Sequence, residues 1–224
     1  MRELIGGLIL AAAPLGVFAA EPKGVSLDYE IGLVSDYRYR GLSLSDKQPA
    51  IQGGVTASSS KGLYGSVWAS TIEEYGAGAD GKGATVELDY ALGWAGSLAG
   101  LDIDAAVTRY TYPGGEDVAF FETPVTVSRT WGAWTTMVGG AYAPRQKALG
   151  TEGDAYAFAG LEWAPGPLTL GVQAGHESGA FAPGGKWDWS LSAARKIGAV
   201  AAALSYVDSD RAGGGLVASL KASF

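Results

Sequence analysis

Cysteine is absent from the 224 residues, histidine occurs once, and charged residues make up only 17%. Without cysteine there is no disulfide framework, no thiolate metal site and no lipid-modified N-terminal Cys. Lys and Glu are too sparse for a helical protein. The net charge of −7 removes nucleic acid as a partner, because its phosphates repel an acidic chain. Beyond the N-terminus no apolar run approaches the roughly 20 residues of a membrane-spanning helix. If this chain crosses a membrane, it does so with strands. What it has instead is 35 Gly, 7 Trp and 11 Tyr within a 47% hydrophobic composition, in a length that fits one domain.

Residues 1–20 read as a secretory signal: Arg2, an apolar stretch from Leu4 to Phe18, then small Ala19 and Ala20 before Glu21-Pro22. The apolar stretch is short for a membrane anchor, so cleavage after Ala19 or Ala20 is expected, leaving residues 21–224 as the domain.

After Pro22, alternating runs about ten residues long recur between Gly, Pro, Asp and Ser clusters, the pattern of transmembrane barrel strands. In residues 85–95, Val86, Leu88, Tyr90, Leu92 and Trp94 share one face, and Glu87 and Asp89 lie on the other. About twelve segments follow: 25–40, 49–58, 62–72, 84–95, 101–112, 118–128, 131–143, 154–164, 167–176, 186–195, 197–208 and 215–224. The fold class expected is therefore all-β, an antiparallel up-and-down transmembrane β-barrel. Its connections alternate in length. The expected outer loops are 41–48, 73–83, 113–117, 144–153, 177–185 and 209–214, and the short turns are 59–61, 96–100, 129–130, 165–166 and Lys196.

Aromatic residues are expected to form two belts, since amphipathic rings settle at membrane interfaces. Trp94, Trp131, Trp163 and Phe224 fall at the short-turn ends, and Tyr37, Tyr39, Phe120, Trp187, Trp189 and Tyr206 near the outer ends. The final segment places Leu216, Ala218, Leu220, Ala222 and Phe224 on one face, an ending that barrel-assembly machinery recognises.

The stretch SDYRYRGLSLSDKQPAIQGG (35–54) resembles the opening motif of the TorF-family porins, and GLYGSVWAS (62–70), Glu87-Leu88, YTYPG (110–114) and SYVDSD (205–210) follow in the expected order. Residues 121–186 show no matching motif. The resemblance implies an outer-membrane barrel with a passive-transport role.

Inward charges are the residues that could carry function. The first segment supplies Asp28, Glu30, Asp36, Arg38 and Arg40; the fourth supplies Glu87 and Asp89, and the fifth Asp102 and Asp104. Gln52 and Asp188 add polar groups on other walls. Two arrangements fit. The charges set a transverse field in a narrow water-filled pore, or they pack as a salt-bridge network that fills the bore and leave a structural or surface-interaction barrel that conducts nothing.

His176 falls on the face of Leu168, Leu170 and Val172 at the outer rim, and no G-x-S-x-G elbow accompanies it, so a lipid-modifying enzyme is the weaker alternative. Arg109 faces outward at a similar level, where it could snorkel or meet lipid phosphate. The loop GAGADGKG (76–83) holds a single acid, Asp80, and lacks the ligand spacing of a calcium loop. No cofactor and no metal are expected. The expected partners are outer-membrane lipid and lipopolysaccharide, the assembly machinery, and small polar solutes or ions.

Overall fold

The structure, a computed structural model, describes residues 24–78 and 81–224; the expected signal segment lies outside them. Twelve antiparallel strands close into one barrel: β1 (Val25–Val34), β4 (Ala50–Ser59), β5 (Leu63–Tyr75), β6 (Ala84–Leu98), β7 (Leu101–Thr111), β8 (Phe120–Trp131), β9 (Trp134–Ala143), β10 (Asp154–Trp163), β11 (Leu168–Gly179), β12 (Lys186–Ile197), β13 (Val200–Ser209) and β14 (Gly215–Ser223). Each strand pairs with its chain neighbour, and β1 closes the ring on β14 through registers such as Glu30↔Ser223 and Leu33↔Leu220. Twelve strands tilted by roughly 40° enclose a bore with a backbone radius of roughly 12 Å.

Burial is inverted relative to a water-soluble domain. Val25, Leu27, Ile31, Leu92, Leu191, Leu216 and Leu220 point outward and are exposed, whereas Glu87, Glu122, Asp154 and Lys186 point inward and are buried. Contiguous exposed apolar surface on this scale needs an apolar solvent around it. At the short-turn end, Trp94, Trp131, Trp134, Trp163 and Phe224 stand outward, and Trp134 and Trp163 stack at 5.7 Å across β9 and β10. At the loop end the outward aromatics include Phe121, Tyr142, Trp187, Trp189 and Tyr206.

The turn lengths alternate as the sequence predicts. None of the short turns is longer than residues 164–167, whereas the opposite end carries loops as long as 35–49 and 144–153. Two turns sit further along than expected. The β8–β9 turn is 132–133 rather than Arg129-Thr130, and the β12–β13 turn is 198–199 rather than Lys196. In both cases glycine decides the place, since Gly132 (φ +61°) and Gly198 (φ +62°) take the left-handed conformation that tight hairpins require.

The larger departure is in the first segment. The wall strand ends at Val34 and does not run on to Arg40. Residues 35–49 instead fold into the bore as a small hairpin of β2 (Arg38–Tyr39) and β3 (Leu42–Ser43). Its two turn residues, Arg40 and Gly41, have φ of +47° and +84°, the pairing that suits a two-residue hairpin.

Candidate functional site

The site is the loop-end half of the bore, and the hairpin builds its centre. Arg40 at the hairpin tip makes a bidentate pair with Glu122 of β8 (2.7 and 2.8 Å) and a second ion pair with Glu177 of β11 (2.7 Å). Asp154 of β10 lies 3.8 Å away. The guanidinium is also flanked by the rings of Tyr39 and Tyr156, 4.6 and 4.3 Å from their centroids, an arrangement open to Arg because its plane stacks. Lys186 of β12 bridges Glu177 (2.6 Å) and donates to the Arg40 carbonyl (2.8 Å), so wall and hairpin are tied twice.

The hairpin base is held by Arg38. Its Nε reaches Asp36 at 2.6 Å, and its Nη1 donates to the carbonyls of Val207, Gly213 and Gly41. Asp36 in turn accepts from Ser43 at 2.6 Å. Beside this cluster Tyr37 packs on Trp68 (5.7 Å) and with Val34, Ala50 and Val217, giving the hairpin an apolar foot inside the bore. Tyr39 donates to Glu122 at 3.2 Å. Burial raises the Tyr39 pKa well above its ordinary 10, with Arg40 pulling the other way, so the phenol remains a neutral donor. A third layer comes from the neighbouring loops: Phe181 packs on Phe120 (5.0 Å), Phe120 stacks on Tyr110 (4.7 Å), and Leu149 is buried against them.

Gly41 is where this docking is most sensitive to added bulk. A Cβ there would lie 2.7 Å from the Ser209 Cβ and 2.9 Å from the Asp208 carbonyl, at a φ that β-branched residues avoid. Gly41→Val is expected to undock the hairpin at a cost of about 1–3 kcal/mol. Trypsin cleavage after Arg38 and Arg40 in detergent, slow in the parent protein and fast in the variant, checks this.

The other sequence candidates fall on the inward face. Glu87 and Asp89 face the bore on β6, where Tyr112 donates to Glu87 at 3.0 Å. Asp104 is lower on β7 and accepts from Tyr64 (2.8 Å), and Asp188 accepts from Tyr156 (3.0 Å). Gln52 donates to Ser70 at 3.3 Å. Near the short-turn end, Glu30 pairs with Lys221 (2.6 Å), Asp102 accepts from Ser97, and Asp28 is exposed.

Three aromatic assignments change. Tyr37, Tyr39 and Phe120 lie inside the bore and take no part in an outer belt. The period-2 count gave the two tyrosines an outward phase along a continuous strand, and the strand ends before reaching them.

A family model described as "Bacterial protein of unknown function (Gcw_chp)" matches residues 19–218. The chain belongs to this family. Among solved structures, the barrel is similar to the NanC porin (TM-score 0.57, 12% identity, 89% of this chain and 99% of that one). It is also similar to an outer membrane channel from Pseudomonas putida F1 (TM-score 0.56, 11% identity, 93% and 97%). At such identities the likeness is one of fold. No curated protein matches the sequence.

Four partners of the hairpin had not been singled out in the sequence: Glu122, Asp154, Glu177 and Lys186. Each sits in phase with the inward face near a loop-end strand terminus. That shared position is the signal that could have found them. His176 faces outward with its ring against Trp187 at 4.6 Å.

Proposed function

We propose that this protein is an outer-membrane porin of a Gram-negative bacterium, passing small polar solutes or ions by diffusion through a bore narrowed by the 35–49 hairpin. The observation that carries this reading is the inverted barrel: an apolar belted exterior around a charged interior, with a loop folded inward across it. The likeness in fold to a porin and an outer membrane channel supports it, as does the motif resemblance to the TorF-family porins. Residues 1–20 are then a cleaved signal, and residues 21–224 the barrel. Asp28, Glu30, Gln52, Glu87, Asp89, Asp102, Asp104 and Asp188 line its wall, and Asp36, Arg38 and Arg40 its constriction. Lipid and lipopolysaccharide surround the two aromatic belts, and the assembly machinery engages β14.

A second reading is favoured by one observation. The side chains of Arg40, Glu122, Glu177 and Lys186 are each at most 6% exposed, a packing that fits a barrel shut at rest. Purified protein in planar bilayers separates the two. Discrete conductance steps are expected for the porin; silence across a range of salt concentrations and voltages removes it and leaves the shut barrel.

A further inference from the structure

The cations of the loop-end bore are all engaged: Arg38 by Asp36, Arg40 by Glu122 and Glu177, and Lys186 by Glu177. Several inward carboxylates have no such counter-charge. Glu87 and Asp89 are only 2% and 3% exposed, yet Glu87 Oε2 and Asp89 Oδ1 have no hydrogen-bond partner, and among the described residues no cation pairs with either. They stand two residues apart on one face of β6, so their Cα atoms lie roughly 7 Å apart along the strand. Two like charges held this way out of water are costly unless a proton or a metal ion neutralises them.

The surroundings are oxygen-rich and neutral. The Tyr112 hydroxyl donates to Glu87 Oε1, and Ser70 lies opposite Glu87 in the sheet. Trp68 and Tyr110 face Asp89 from the two neighbouring strands. Carboxylates with phenolic and hydroxyl oxygens are hard ligands, and two negative charges match one divalent ion of the calcium or magnesium class.

We propose that Glu87 and Asp89 form a binding site for a hard divalent cation on the wall of the constriction. Two carboxylates fall short of the six to eight oxygens that calcium takes, so waters complete the shell and affinity is on the order of millimolar. A site this weak lets an ion enter and leave, which suits a conduction path. Below it on the same wall, Asp104 and Asp102 continue the negative track toward the short-turn end. The transit role rests on the porin reading; the binding site does not.

The test uses the full mature protein in detergent with terbium(III), whose emission is excited through nearby Tyr and Trp rings and which takes calcium-type oxygen sites. The parent protein is expected to sensitise terbium emission that calcium displaces, and E87Q/D89N to weaken that binding at least about tenfold. Circular dichroism and heat-shifted gel mobility show whether the double variant is folded; if it is not, the single variants E87Q and D89N carry the comparison. Binding unchanged in folded variants, or no calcium-displaceable emission from the parent, overturns the site. Reversal potentials in bilayers give the separate measurement. Cation selectivity that falls in E87Q/D89N places the site on the path. A silent barrel that still binds terbium removes the porin reading and keeps the site; a conducting barrel without terbium binding does the reverse.

Discussion

Arg40→Ala is expected to be among the most damaging substitutions in the bore and to raise the conductance of those barrels that fold. The parent side chain neutralises Glu122 and Glu177 at 2.7 Å each, with both carboxylates almost fully buried. Removing one partner of a buried pair leaves the other charge without compensation, which costs about 3–5 kcal/mol. Here one cation serves two carboxylates, while Lys186 still holds Glu177, so Glu122 is left the more exposed to that penalty. The expected outcome is a hairpin released from the wall. Single-channel conductance should rise, and the chain should become open to trypsin after Arg38. Unchanged conductance together with an unchanged urea midpoint would show that the hairpin does not depend on its tip. Arg40→Lys is expected to recover little, because a single ammonium nitrogen cannot serve Glu122 and Glu177 from two separate positions, as Nη2 and Nη1 do, or lie flat between Tyr39 and Tyr156.

The second large effect belongs to the outer face. Leu92 lies mid-strand on β6, 74% exposed, paired with Gly65 and Val107. In water an exposed Leu→Arg change is close to neutral, within about 0.5 kcal/mol. In hydrocarbon at mid-depth the same change costs about 2–4 kcal/mol. Leu92→Arg is therefore expected to lower the urea midpoint for folding into lipid vesicles, followed by tryptophan fluorescence and gel mobility. The neighbouring inward change Ala91→Ser should have a much smaller effect, since its side chain faces Ser66 and Thr108 across the adjacent strands. Equal, small effects at the two positions would contradict a membrane-embedded barrel.

These two positions differ in how far the sequence reveals them. Leu92 is legible because alternation is local. Val86, Leu88, Tyr90, Leu92 and Trp94 fix one face of β6 without reference to any other strand, and the neighbouring Glu87 and Asp89 fix the other. Arg40 is legible only as an inward charge. The same alternation runs unbroken through SDYRYR, so counting by twos continues the wall to residue 40. The chain leaves the wall at Val34, and Tyr37, Arg38 and Arg40 meet their partners as part of the inward hairpin: Trp68, Asp36, Glu122 and Glu177. The positive φ at Arg40-Gly41 then makes the turn. Pro124 shows the same limit in reverse. It weakens the sequence signal of its segment, yet β8 runs through it, and the β7–β8 register simply lacks pairs at residues 123 and 124.

By itself the sequence determined the all-β barrel class, the phase of the wall strands and the alternation of loop lengths, and it gave the strand number as about twelve, since these follow from period-2 patterning and glycine-bearing turns within about a dozen residues. Only the tertiary structure decided what occupies the bore. Arg40 meets Glu122 across 82 positions of chain and Glu177 across 137, and charges so far apart become neighbours only once the sheet has closed. Closure sets which inward carboxylates meet a cation and which, like Glu87 and Asp89, are left without one.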